Sequence, residues 1–205
     1  LDSRYKILLL SEKVHPDIAA IKSVLDKNKN YEVELENTTD FTHNIENYNL
    51  IILFHLNKKT SQLLQKIKES NVSVLMISNS VNTSLITQIY SGFSVIGKNK
   101  NQEITTDFNP NFSKFSISPS LRNYIQDLPP LQSPFGTYTY PISAEVLLFQ
   151  KIGMYTTEKP FVLLDESNNR KIGLILGEGL WKWRINDRKE GEIHKNFDEL
   201  ISKIS

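Results

Sequence analysis

Three short apolar runs constrain this chain more than anything else in it: Tyr5–Leu10 (YKILLL), Leu50–Phe54 (LIILF) and Val72–Ile77 (VSVLMI). A strand with one wet face alternates polar and apolar residues; a strand buried on both faces does not. Segments with helical spacing lie between these runs. In HPDIAAIKSVLDKN, Ile18, Ile21, Val24 and Leu25 share one face, Pro16 suits a first turn, and Asp17 complements the helix N-terminus. Lys58–Ser70 turns Leu63, Leu64 and Ile67 inward, and Val81–Tyr90 reads as a shorter helix. Tyr31–Leu35 (YEVEL) alternates as a further strand. This succession of strands and helices predicts a mainly parallel central sheet with helices on both faces, an α/β fold.

The second half differs in texture. Pro110–Ala144 carries only Lys114, Arg122 and Asp127 as charged residues and is rich in Pro, Ser and aromatics. Its LPPLQSPFG stretch cannot be regular helix, because proline removes donors and restricts the preceding residue. Residues 105–145 are therefore expected to make an aromatic, proline-rich excursion over one end of the sheet. Phe161–Asp165 and Lys171–Leu176 read as a late β-hairpin, since Asn168–Asn169 tolerates the positive φ of a tight turn. GEGLWKWRIND, a charged linker with Gly191 and a last amphipathic helix follow, with Ile193, Phe197, Leu200, Ile201 and Ile204 at helical spacing. A length of 205 residues suits one domain spanning 1–205. The Leu1 start and a helix running to the end suggest a domain of a longer chain.

Charge and composition narrow the function. Lys plus Arg number 24 against 23 Asp plus Glu, so the basic excess of a nucleic-acid binder is missing. Lys182, Arg184, Arg188 and Lys189 do cluster, but Asp187, Glu190 and Glu192 offset them. No apolar run approaches the ~20 residues that cross a bilayer, so no direct membrane insertion is expected. The chain has no Cys, which removes disulfides, thiolate–metal sites and cysteine nucleophiles together. Its four His (15, 43, 55 and 194) lack ligand spacing. Glu12, His15 and Asp17 could meet at one helix start, but they also serve as polar residues completing a loop. Neither a metal nor a cofactor is expected.

Open α/β sheets bind ligands beyond the carboxyl ends of their strands. That rule selects Ser11, Glu12, His15 and Asp17 after the first strand, His55 after the third, Ser78, Asn79 and Ser80 after the fourth, and Glu178, Trp181, Trp183 and Arg184 after the last. Phe135, in the excursion, is expected to border the same rim. If Trp181–Arg184 is extended, both tryptophans face one way and Lys182 and Arg184 the other. Such a pair could form a cation–π platform or partner hot spot. The favoured reading is structural: the rings close the sheet against the excursion while Arg184 pairs with Asp187 or Glu178.

The order of elements, with KILLL…HPDIAAIK, LPPLQSPFG, LLFQKIG and GEGLWKWR, resembles the class I glutamine amidotransferase-like domains of large bacterial membrane-anchored proteins. These commonly accompany a von Willebrand A domain. The resemblance implies a flavodoxin-like three-layer sandwich, an extracytoplasmic (periplasmic) setting, and partners among other domains of the parent chain or envelope proteins.

A working amidotransferase needs a Cys nucleophile on a sharp turn, a glycine-rich oxyanion loop and a late His and Glu. Here the turn after the fourth strand reads Ser78-Asn79-Ser80, the segment after the third reads HLNKK, and the late segment LGEGLWKWR has Glu178 but no His. The expectation is a non-catalytic binding or scaffolding domain. Two alternatives remain open: a hydrolase with Ser78 as nucleophile, His55 as base and Glu178 as orienter, and a small-ligand sensor gripping a polar metabolite at the rim.

Overall fold

The computed structural model describes residues 4–55, 57, 60–79, 83–167, 169–188 and 194–205. Lys58, Ser80, Val81, Asn168, Lys189, Glu190, Gly191, Glu192 and Ile193, all invoked above, lie outside the described residues.

The apolar runs form β1 (Tyr5–Ser11), β3 (Leu50–Phe54) and β4 (Ser73–Ile77), and the alternating segment forms β2 (Tyr31–Asn37). Their period of two sends alternate residues to opposite faces, and both faces are covered. Ile7, Leu9, Leu50 and Ile52 enter one core with α1 (Pro16–Leu25), while Leu8, Leu10, Ile51 and Leu53 enter the other with α2 (Ser61–Glu69) and α3 (Thr83–Ile89). The last strand of this half, β11 (Arg170–Ile175), lies parallel to β4.

Beyond β11 the sheet changes character. β6 (Asn101–Phe108), β7 (Leu131–Pro134), β9 (Glu145–Ile152) and β10 (Tyr155–Ser167) complete nine strands in the order β2-β1-β3-β4-β11-β10-β9-β6-β7. Every neighbouring pair from β2 to β11 is parallel, and every pair from β11 to β7 is antiparallel. This overturns the expected flavodoxin-like, mainly parallel sandwich: the sheet is mixed. The reason lies in connection length. Parallel neighbours need a crossover helix, whereas β9 and β10 are joined by the two residues Gly153–Met154, which permit only a hairpin. The late hairpin of β10 and β11 forms, with Ser167 opposite Arg170 and Asn169 at φ 61°, but β10 begins at Tyr155 rather than Phe161.

The 105–145 segment is also corrected. It does not simply lie over a sheet end: it supplies part of β6, helix α4 (Pro119–Gln126), the edge strand β7, and β8 (Thr137–Thr139), which pairs with β5 (Ser94–Ile96) in a small second sheet. Threonines and polar residues in β6 hide it from an apolar-run reading, yet Ile104 and Thr106 are buried. Helices α5 (Leu180–Asn186) and α6 (Lys195–Ile204) close the face occupied by α1, through Leu180, Trp183, Phe197, Leu200 and Ile201.

Candidate functional site

The carboxyl ends of β1, β3, β4 and β11 meet at one rim, and Glu178 stands at its centre. Its backbone is clamped by β7 on both sides: Glu178 N donates to the Gln132 carbonyl at 2.9 Å, and Gln132 N donates to the Glu178 carbonyl at 3.2 Å. This approach requires Gly177, where a Cβ would sit 2.5 Å from the Gln132 oxygen. Ser133 anchors the same crossing by donating to the Leu176 carbonyl at 2.6 Å.

His55 directly follows β3 with φ 51°, a left-handed backbone that turns its ring across the rim, and its N–H prolongs the β3–β4 ladder by donating to the Ile77 carbonyl. His55 Nε2 lies 2.9 Å from Glu178 Oε2. The Asn79 side chain hydrogen-bonds the same carboxylate. The His55 hydrogen bond is the main cause holding the Glu178 carboxyl below the usual carboxylate range, against partial burial, which pushes it up. The His55 ring stacks on Phe54 (centroids 4.0 Å apart) and meets the His15 ring edge-on at 5.2 Å. Beside them, Asn57 Nδ2 donates to Glu12 Oε2 at 2.9 Å.

His15 is the N-cap of α1, its Nδ1 accepting the Asp17 N–H at 3.1 Å. Asp17 is fully buried in the first turn of α1, its Oδ2 3.8 Å from Nδ1 of the N-cap His15. Oδ2 accepts the Gly179 N–H and Oδ1 the Trp181 N–H, each at 2.8 Å, so a residue of α1 caps α5. Gly179 has φ 110°, which a side-chain-bearing residue adopts only under strain.

Two other expectations change. The segment after Gly179 is helix α5 rather than extended chain, so residues two apart point to different sides. Trp183 is buried against Phe161, with Nε1 donating to the Pro129 carbonyl at 3.0 Å, while Trp181 remains 36% exposed. Arg184 is paired with neither proposed partner. Asp187 instead caps α6 by accepting from Asn196 Nδ2 and Phe197 N, and Arg184 Nε is buried without a hydrogen-bond partner among the described residues. Phe135 lies under two ammonium groups, Lys100 Nζ at 4.6 Å and Lys159 Nζ at 5.6 Å, a contact made through the antiparallel half.

Of the three weak catalytic candidates, His55 and Glu178 are brought together and Ser78 is turned elsewhere. Ser78 is fully buried, its N–H donates to the Ile175 carbonyl, and its Oγ donates to the Asn79 carbonyl at 3.2 Å. A nucleophile must present its hydroxyl to the base. The rim thus brings a histidine and a carboxylate to hydrogen-bond distance, while the Ser78 hydroxyl is bonded to a backbone carbonyl. No three His, Asp or Glu side chains converge at metal-binding geometry among the described residues. Sequence reasoning missed Gln132, whose strand crosses the rim; the one local signal was the pair of glycines flanking Glu178.

No protein-family model matches this chain, and no curated protein sequence matches it. Solved structures do. An exo-β-1,4-mannosidase, Op5Man5, from Opitutaceae bacterium strain TAV5 is similar over 97% of this chain and 36% of its own, with TM-score 0.56 and 10% identity. A β-galactosidase from Rahnella sp. R3 is similar over 98% of this chain and 32% of its own, with TM-score 0.53 and 8% identity. A Thermoplasma acidophilum protein assigned as one component of GMP synthase matches over 98% of this chain and 95% of its own, with TM-score 0.51 and 9% identity. The chain spans about a third of the length of the two glycosidases. At these identities the likeness is one of fold.

Proposed function

We propose that this chain is a non-catalytic, glutamine amidotransferase-like binding module that works inside a larger envelope-associated protein. The observation that carries the reading is Ser78. It occupies the turn where the fold would place a nucleophile, yet it is fully buried and its hydroxyl is bonded to a backbone carbonyl. The absence of any Cys removes the other nucleophile this chemistry uses. The likeness to the Thermoplasma acidophilum GMP synthase component supports the amidotransferase-like fold. Its recurrence as a third of two longer chains supports a module that accompanies other domains. The extracytoplasmic setting and parent-chain partners rest on the sequence resemblance alone.

The test is chemical. The purified chain incubated with glutamine is expected to release no ammonia above a blank, and a fluorophosphonate probe is expected to leave Ser78 unlabelled. Sustained ammonia release, or labelling of Ser78 that disappears in His55→Ala, would replace this reading with the hydrolase alternative. One observation favours that alternative: His55 and Glu178 already lie at hydrogen-bond distance in the order base–orienter.

A further inference from the structure

Two oppositely charged side chains are buried at the amino end of β11, the opposite end of the strand from the rim, and they do not meet. Asp165 on β10 is 5% exposed and Arg170 on β11 is 8% exposed, and neither forms an ion pair among the described residues. A buried charge is costly unless an opposite charge or a ligand answers it. Strand register puts the two on one face. Asp165 stands opposite Ile172, and Arg170 lies two residues from Ile172 along β11, so the period of two turns all three to the α2–α3 side. Strand geometry sets the two α-carbons about 8 Å apart.

Each charge is held by neutral groups alone. Asp165 Oδ2 accepts the Tyr90 hydroxyl at 2.6 Å and the Ser143 hydroxyl at 3.2 Å, and Oδ1 accepts the Glu166 N–H at 2.9 Å. Burial and then the Asp165 contact push the Tyr90 hydroxyl up, so it stays a donor. Arg170 spends three of its N–H groups on the carbonyls of Val72, Lys68 and Ile67, and a guanidinium has about five to give. Capacity therefore remains on Oδ1 and on the guanidinium. Both side chains line one cleft of about 320 Å³, within the scale of small-molecule sites. Ile89, Pro141 and Ile172 give it an apolar wall. Lys68 and Glu69 also line it, but both are exposed and opposite in sign, and Glu69 Oε1 takes the Gln65 amide at 2.6 Å. Separate buried charges of opposite sign, beside a small apolar wall, match a small ligand that carries an ammonium and a carboxylate.

We propose that this cleft binds a free α-amino acid with a small apolar side chain, its ammonium on Asp165 and its carboxylate on Arg170. The site shares no residue with the His55–Glu178 rim, so it is independent of the rim's function.

The probes are L-valine, isobutylamine, which is the same body without the carboxylate, and 3-methylbutanoate, which is the same body without the ammonium. Titrated into the full chain and followed by amide shifts, L-valine is expected to bind saturably, and each truncated probe roughly tenfold more weakly, the scale of one charge-assisted contact. The shifts should centre on Tyr90, Ser143 and Arg170. Asp165→Asn keeps an acceptor for the Tyr90 hydroxyl and removes the charge. It is expected to weaken L-valine roughly tenfold and leave 3-methylbutanoate unchanged. Its amide spectrum reports whether it folds, and the three probes on the parent chain decide the proposal without it. L-valine binding that is absent, that is matched by a truncated probe, that is unchanged in a folded Asp165→Asn chain, or whose shifts centre on His55 and Glu178 would overturn the proposal.

Discussion

The carboxylate of Asp17, buried at the start of α1, receives the Gly179 backbone N–H at 2.8 Å across 162 positions of sequence. Its second oxygen takes the Trp181 N–H, so one side chain satisfies two donors at the start of α5 that would otherwise be orphaned. The contact locks the loop bearing Glu178 to the loop bearing His15.

Asp17→Ala should therefore cost more than an exposed cap. Leaving two buried N–H groups unpaired is worth about 2–4 kcal/mol, above the ~1 kcal/mol of an ordinary N-cap. Urea denaturation should show a lower midpoint with an unchanged slope. Asp17→Asn, which keeps one acceptor oxygen, should recover part of the loss.

Glu178 sets a pH dependence whose sign follows from its depressed carboxyl. A group whose folded pKa lies below its unfolded value adds stability above the unfolded value and loses it as pH falls through the folded one. The ordinary value is 4.5, so the His55–Glu178 contribution should be present at neutral pH and disappear progressively below that point. Stability measured from pH 7 to pH 3 should fall less steeply in Glu178→Gln than in the parent chain.

Arg170 is buried at the far edge, where its guanidinium donates to the carbonyls of Val72 (2.9 Å), Lys68 (3.2 Å) and Ile67 (2.8 Å). It satisfies carbonyls around the C-terminus of α2 that the helix cannot satisfy itself. Arg170→Met keeps the apolar stem and removes the donors, and should destabilise by about 2–4 kcal/mol in chemical denaturation.

The two tryptophans should separate cleanly. Trp183→Ala removes a fully buried ring together with its hydrogen bond to Pro129, for a loss of about 3–5 kcal/mol. Trp181→Ala, at a partly exposed position, should change stability by less than about 1 kcal/mol.

The apolar runs at β1, β3 and β4 and the helical faces of α1, α2 and α6 were legible along the chain, because burial on two faces and burial of one stripe each leave a local period. β6 and β9 were missed. Both lie in the antiparallel half: in β6 threonines and charges surround the buried residues and no run stands out, while the Val146–Phe149 run of β9 does stand out and went unread as a strand. His55 and Glu178 could be selected as rim residues because strand ends are local features. Their 2.9 Å approach could not, since it depends on Gln132 arriving from a distant strand to hold Glu178 in place.

The sequence by itself determined the two-faced strands, the missing thiol and the helical stripes, all of which depend on neighbours a few residues apart. Only the tertiary structure decided that the sheet is half antiparallel, that Asp17 caps a helix other than its own, that Trp181 and Trp183 part company, and that Ser78 faces a carbonyl. Each of those outcomes is a choice among partners far apart in the chain. Hydrogen bonding, register and packing make that choice together, and no local period records it.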